Sequence, residues 1–257
     1  MKRLTIAVAG FAVCAAMAAQ GASLAEDSAA NYSVGTWTNG SNGGTGFGAW
    51  TLSTPTGSGA FMGDSTANAG GSSGGINSSN GLAWGMWAGD AIAQAFRPFT
   101  GGSLAVGQHF LLALDNGYIN DTRSVGIGLQ NSTGANLWEF GFVGGDDFYI
   151  LNDNAGLRSS GIGWTGNGLF LDFQLTAPAA YSVMVATGGV TNNFTGSLLA
   201  DADQGVAQTH AWNYIAGSGP NYDAYINNMA VTIPEPGTFV LLGIGALGLL
   251  RFRRTRK

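Results

Sequence analysis

The segments SVGIGLQ (124–130), NSTG (131–134) and LWEFGFV (137–143) decide the fold. Leu137, Glu139, Gly141 and Val143 alternate with Trp138, Phe140 and Phe142. This is the two-residue period of a strand, with one strongly aromatic face and one mixed face. Asn131-Ser132-Thr133-Gly134 supplies turn chemistry between the two runs, so the segment reads as a β-hairpin. Outward from it, similar short runs recur at 46–53, 82–88, 92–99, 109–114, 148–152, 169–176, 181–187 and 222–233, each bounded by Gly, Asn, Asp or Pro. No amphipathic helical period interrupts them. So many short strands joined by turns predict an all-β protein, a two-sheet antiparallel β-sandwich of jelly-roll type. The Gly/Ser-rich stretch 57–81 reads as a long surface loop.

Composition agrees with a β-rich body. Glycine accounts for 43 of 257 residues and only 10% of residues are charged, against about 25% in an average protein. That excludes a charge-laced helical bundle, while 45% hydrophobic content excludes global disorder. The charges are distributed unevenly. Lys2, Arg3, Arg251, Arg253, Arg254, Arg256 and Lys257 lie at the two ends, which leaves only Arg97, Arg123 and Arg158 in the body. Fourteen acids share residues 26–233 with those three arginines, for a net charge of −11. A nucleic-acid partner is excluded on this ground, because phosphate neutralisation needs clustered Lys and Arg.

Both ends carry targeting patterns. Lys2 and Arg3 precede an uncharged Ala-rich run from Leu4 to Ala19, and Ser23 and Ala25 offer small residues before Glu26, so residues 1–25 read as a cleaved signal peptide. The chain's one cysteine, Cys14, falls inside that peptide, which leaves the mature body without thiol chemistry. At the other end Pro234-Glu235-Pro236 precedes an apolar run from Phe239 to Leu250, then the basic cluster from Arg251 to Lys257. The charge-free stretch 237–250 would be about 21 Å long as a helix, short of a bilayer core of about 30 Å unless flanking residues help. A short transmembrane helix is expected there, with its basic end cytoplasmic and the body outside.

This tail resembles the PEP-CTERM sorting signal, in which a Pro-Glu-Pro tripeptide, a short transmembrane helix and an Arg cluster follow in that order. The resemblance implies recognition and processing by a membrane-embedded exosortase, with Pro234, Glu235, Pro236, Arg251, Arg253 and Arg254 as the sorting residues. It implies an exported protein of an outer-membrane bacterium, membrane-anchored before processing and then placed at the cell surface or in the matrix of a biofilm. The body, residues 26–233, resembles the bacterial concanavalin A-like (laminin-G-like) jelly rolls. The resemblance is carried by Leu114-Asp115-Asn116-Gly117-Tyr118, Trp138-Glu139-Phe140, the segment 147–153 and the final strand from Ala224 to Val231. It implies glycan binding as a common role, and a closing strand that returns beside the first strands.

Chemical motifs are sparse. Gly71-Ser72-Ser73-Gly74-Gly75 has the spacing of a nucleophile elbow without the strand and helix that would strain the serine. Gly161-Ile162-Gly163-Trp164-Thr165-Gly166 has a dinucleotide spacing but leads into a strand, so it reads as a turn. His109 and His210 lack partners of zinc-site spacing. Hydrolases of this fold set alternating acids along one strand, whereas Glu139 is flanked by Leu137 and Gly141, and Asp172 by Phe170 and Gln174. No catalytic residue, metal ligand set or cofactor is therefore expected. Calcium stays open, because Asp115, Asp121, Asp146, Asp147, Asp153, Asn116, Asn152 and Asn154 in turn-rich segments supply oxygen ligands. Trp84, Trp87 and Trp164, in the least core-like contexts, are the candidates for stacking on sugar rings. The expectation is thus a non-catalytic surface or matrix protein serving adhesion, structure or polysaccharide binding. The alternative is a secreted carbohydrate-active hydrolase or lyase of the same fold.

Overall fold

The computed structural model describes residues 22–68, 75–199 and 205–233. Fifteen strands run through them: β1 (Ala22–Asp27), β2 (Thr51–Ser53), β3 (Ser58–Gly63), β4 (Ala83–Ala88), β5 (Ile92–Pro98), β6 (His109–Asn116), β7 (Ser124–Gln130), β8 (Asn136–Val143), β9 (Phe148–Asp153), β10 (Gly156–Gly163), β11 (Leu169–Ala177), β12 (Ala180–Thr187), β13 (Val190–Ser197), β14 (Gln208–Tyr214) and β15 (Ala224–Ile233). They form two antiparallel sheets. One is eight-stranded, ordered β13-β12-β11-β6-β15-β4-β3 with β1 also on β15; the other is seven-stranded, ordered β10-β9-β8-β7-β14-β5-β2. The helical content of the described residues is three short 3-10 turns.

The deciding hairpin folds as read. β7 and β8 pair from Ser124↔Val143 to Gln130↔Asn136 around the 131–134 turn. The Asn131 side-chain carbonyl accepts from the backbone N–H groups of Thr133 and Ala135, 3.0 and 2.9 Å away, and so shapes that turn. Trp138, Phe140 and Phe142 point inward, where they pack against Phe173, Tyr181 and Tyr149. A second aromatic knot of Tyr32, Trp37, Trp50 and Trp84 fills another part of the interior, with ring centroids 5.2 to 6.2 Å apart.

β15 is the closing strand and the central one. β6 lies along one edge, and the other edge is shared by β4, opposite residues 224–226, and β1, opposite residues 229–233. The changeover occurs at a bulge where Asn228 takes φ 52°. Asn227, fully buried there, accepts from the Ala29 N–H and donates to the Ile76 and Leu82 carbonyls. One side chain thus satisfies the backbone groups that the interrupted ladder leaves open. Ala22 opposite Ile233 brings the N-terminal segment to the exit of the C-terminal one.

Three expectations need correction. β1 spans the expected cleavage point between Ala25 and Glu26, so the folded domain begins at least four residues before residue 26. Within the expected 57–81 loop, β3 is a strand paired with β4 from Ser58↔Ala88 to Gly63↔Ala83. Its glycines hide the strand signal for a packing reason, since a Cβ on Gly59 would lie 2.2 Å from Trp87 Nε1. Gly161-Ile162-Gly163 ends β10 as a strand, with Ile162 in the core, where a turn was expected. The elbow-like 71–74, most of the signal peptide and the tail from Pro234 lie outside the described residues; no helix among those described is long and apolar enough to cross a membrane.

Candidate functional site

Register alone assembles the site. Strand pairing puts Asn152, Glu139, Gly128, His210 and Phe96 in one row across the outer face of the seven-stranded sheet. Asn136, Gln130 and Gln208 form a neighbouring row, and Gly141, Gly126, Trp212 and Gln94 another. Trp212 leaves no room for a side chain at Gly126. A Cβ there would lie 2.5 Å from Trp212 Cζ2, so the indole can lie across the sheet only where this side chain is missing.

The polar groups on this face form a continuous network. Glu139 accepts from Asn136 Nδ2 at 2.6 Å and from Asn152 Nδ2 at 2.7 Å. Gln130 donates to Asn136 Oδ1 at 2.6 Å and accepts from Gln208 Nε2 at 2.8 Å. His210 lies between two amides, with Nε2 3.1 Å from Gln94 and Nδ1 3.5 Å from Gln130. Its ring stacks on Phe96, centroids 4.5 Å apart and planes within 4°, and it also touches Trp212. Burial pulls the His210 imidazole down to about 4, so it is neutral at neutral pH and carries one donor and one acceptor nitrogen.

At the end of this face, the loops after β6 and β10 and the turn before β15 enclose an open pocket of about 720 Å³. Tyr118, Trp164 and Tyr222 line it with Asp121, Arg123 and Phe142. Tyr118 lies 5.5 Å from Trp164 and 6.2 Å from Tyr222, ring centre to ring centre. Trp164 is anchored by an Nε1 bond to the Gly117 carbonyl at 3.1 Å. Gly117 lets the loops meet, because a Cβ there would lie 2.1 Å from the Asn221 carbonyl oxygen. Trp212 Nε1 donates to Ser124, the neighbour of Arg123, which joins the face to the pocket.

Of the three tryptophans singled out, the structure puts one in this site. Trp164 lines the pocket. Trp87 is exposed, but on the outer face of the eight-stranded sheet. Trp84 is corrected: it has no exposed surface and is the centre of the aromatic knot, because it is an inward residue of β4. Three of the oxygen ligands considered for calcium are engaged within the protein. Asp153 is buried against Arg158 and Tyr181, Asn152 holds Glu139, and Asn116 accepts from Tyr149. Among the described residues no group of three or more His, Cys, Asp or Glu side chains is arranged to hold a metal. Sequence reasoning missed Gln94, Gln130 and Gln208 altogether and did not single out Tyr118 or Tyr222 for the site. The Gln208-Thr209-His210 alternation, polar on one face, was the available signal.

Two antiparallel sheets packed across an aromatic interior, with the closing strand β15 inside the larger one, define the body as an all-β two-sheet sandwich. Residues 232–257 match the PEP-CTERM protein-sorting motif, so the chain carries that motif at its C-terminal end, which implies an exported, surface-directed protein. The chain is similar to the Caenorhabditis elegans galectin LEC-6 (13% identity, 53% of this chain and 88% of that one, TM-score 0.36). It is similar to the alginate lyase from Klebsiella pneumoniae (11%, 72% and 84%, 0.39) and to a legume lectin-like domain from Entamoeba histolytica (9%, 56% and 81%, 0.38). No curated protein sequence matches it.

Proposed function

We propose that this is an exosortase-processed surface or matrix protein whose body binds extracellular polysaccharide, without cleaving it, along the outer face of the seven-stranded sheet and in the adjoining aromatic pocket. The observation that carries this is the amide network from Asn152 to Gln94, bordered by Trp212, Phe96 and the Tyr118–Trp164–Tyr222 cluster. Sugars present apolar ring faces and hydroxyls that both donate and accept, and this surface offers the matching aromatic planes and amides. Glu139 is the one acid among the outward residues of these strands, so the paired carboxylates of glycoside hydrolysis have no partner there.

Affinity electrophoresis through gels containing the producing cell's own polysaccharide tests this, with polymer size measured afterwards. Retardation with the polymer intact is the expected outcome. Shortened polymer would replace the binding protein with an enzyme, and unretarded migration would leave the face without this ligand.

A further inference from the structure

We propose that the polysaccharide bound by this face is uncharged, a neutral hexose or pentose polymer rather than a polyuronate or a sulfated glycan; this rests on the polysaccharide reading of the site. The outward residues of the seven strands, from Leu157 and Asn152 on one side to Thr51 and Ser53 on the other, include Glu139 and no lysine or arginine.

Two of the three positive charges of the body are engaged away from the face. Arg97 points into the interior and is paired with Asp27. Arg158 is paired with Asp153 and bonded to Tyr181. The third, Arg123, lies in the adjoining pocket, where Asp121 also lies, so the formal charges of the pocket lining sum to zero. Lysine is absent between residues 3 and 256.

An ionised carboxylate or sulfate accepts hydrogen bonds and donates none, and its recognition calls for Arg, Lys or a dense set of N–H donors. Here the amides of Gln130, Asn136 and Asn152 already spend donors on one another and on Glu139. Glu139 retains lone pairs beyond the two bonds it accepts, and what fits them is a hydroxyl donor. A uronate set beside it would be a like charge in a partly desolvated place. The body's net charge of −11 over residues 26–233 adds a repulsion that reaches about 10 Å at 0.1 M salt.

The test uses the purified full-length chain in mild detergent, with dextran, mixed-linkage β-glucan and galactomannan as neutral probes and alginate, polygalacturonate and dextran sulfate as acidic ones. Each is run at low and high salt, with calcium and with EDTA. The expected result is retardation by at least one neutral polymer, insensitive to salt and EDTA, and none by the acidic set. Retardation by an acidic polymer, with or without calcium, overturns the inference while leaving polysaccharide binding intact. Failure of all six polymers, followed by failure of the producing cell's own polysaccharide, overturns the binding reading itself. Gln94→Ala and Gln208→Ala, half-buried amides whose loss opens no core cavity, should each weaken retention at least threefold with an unchanged melting temperature. Unchanged retention in both would move the ligand off this face and overturn the assignment.

Discussion

Arg97 and Asp27 form an ion pair sealed from solvent on both sides: Nη2 lies 2.9 Å from Oδ2 and neither side chain has any exposed surface. Arg97 is further held by the Tyr32 hydroxyl at 2.8 Å, the Gly43 carbonyl at 2.8 Å and Asn42 at 3.1 Å, with its guanidinium 4.9 Å above Trp50. Asp27 accepts from Tyr32, Asn31 and the Ser28 N–H. Removing one partner strands a buried charge, at a cost of about 3–5 kcal/mol. Arg97→Met should lower the urea midpoint by that equivalent, and Asp27→Asn in the same chain should recover part of it. A midpoint within 1 kcal/mol of the parent for Arg97→Met would show that water reaches Asp27.

Asp27 ends β1, and this bears on export. A cut after Ala25 would remove the residues opposite Ile233, Thr232 and Val231 and place a charged α-amino group on Glu26, next to Asp27 of the buried pair. Ala16-Met17-Ala18 offers an earlier small-x-small triplet that preserves the strand. Intact-mass analysis of the exported protein should therefore give an N-terminus at or before Ala22, with Ala19 the expected first residue. A mature chain starting at Glu26 would mean that β15 loses this partner after export.

Stability should fall as pH rises from about 4 to about 7. Burial pushes Asp115 up to about 7, against the weaker pull of Asn68, Ser65 and the Asn116 N–H, and burial alone pushes Asp223 to about 7. In that window the folded chain keeps two protons that the unfolded chain has released, and each uncompensated proton costs about 1.4 kcal/mol per pH unit. His210 acts with the opposite sign: its folded value lies below 6.5, so its contribution is present above 6.5 and is lost as pH falls toward 4. Urea midpoints measured from pH 4.5 to 8 should decline. Asp115→Asn should flatten the decline and His210→Gln should steepen it; parallel curves for the two variants would contradict the assignment.

The sheets were legible wherever strands bury large residues on one face, as in β7, β8, β11 and β12, whose inward positions hold Ile127, Phe140, Phe173 and Val183. β14 was not legible. Its inward residues are Thr209, Ala211 and Asn213, small or polar because the interior beside them is occupied by large side chains, and Asn213 bonds to the Met86 carbonyl. Its large residues, His210 and Trp212, point outward, which inverts the usual pattern. The strand that carries the centre of the site was hidden for that reason, and the amides joined to it come from four other strands that only register brings together. Asn227 was equally silent, since nothing local tells a ladder handover from an ordinary polar position.

Trp84 and Trp164 look alike in sequence, each beside a glycine, and the structure separates them by stability and by binding. Trp84 lies within 6.2 Å of Tyr32, Trp37 and Trp50, centroid to centroid, with no exposed surface. Truncating such a residue loses transfer energy and leaves a cavity, about 3–5 kcal/mol for Trp→Ala. Trp84→Ala should therefore lower the melting temperature steeply, and any loss of polysaccharide retention should follow the unfolded fraction. Trp164 is partly buried at the rim, where it packs against Tyr118 and the edge of the core and makes one bond to Gly117. Trp164→Ala should cost about 1–2 kcal/mol, from the lost packing and one hydrogen bond, while reducing retention in the gel at temperatures where the variant is fully folded. Circular dichroism melts run alongside affinity electrophoresis distinguish the two outcomes. Full retention by folded Trp164→Ala would confine the ligand to the sheet and exclude the pocket.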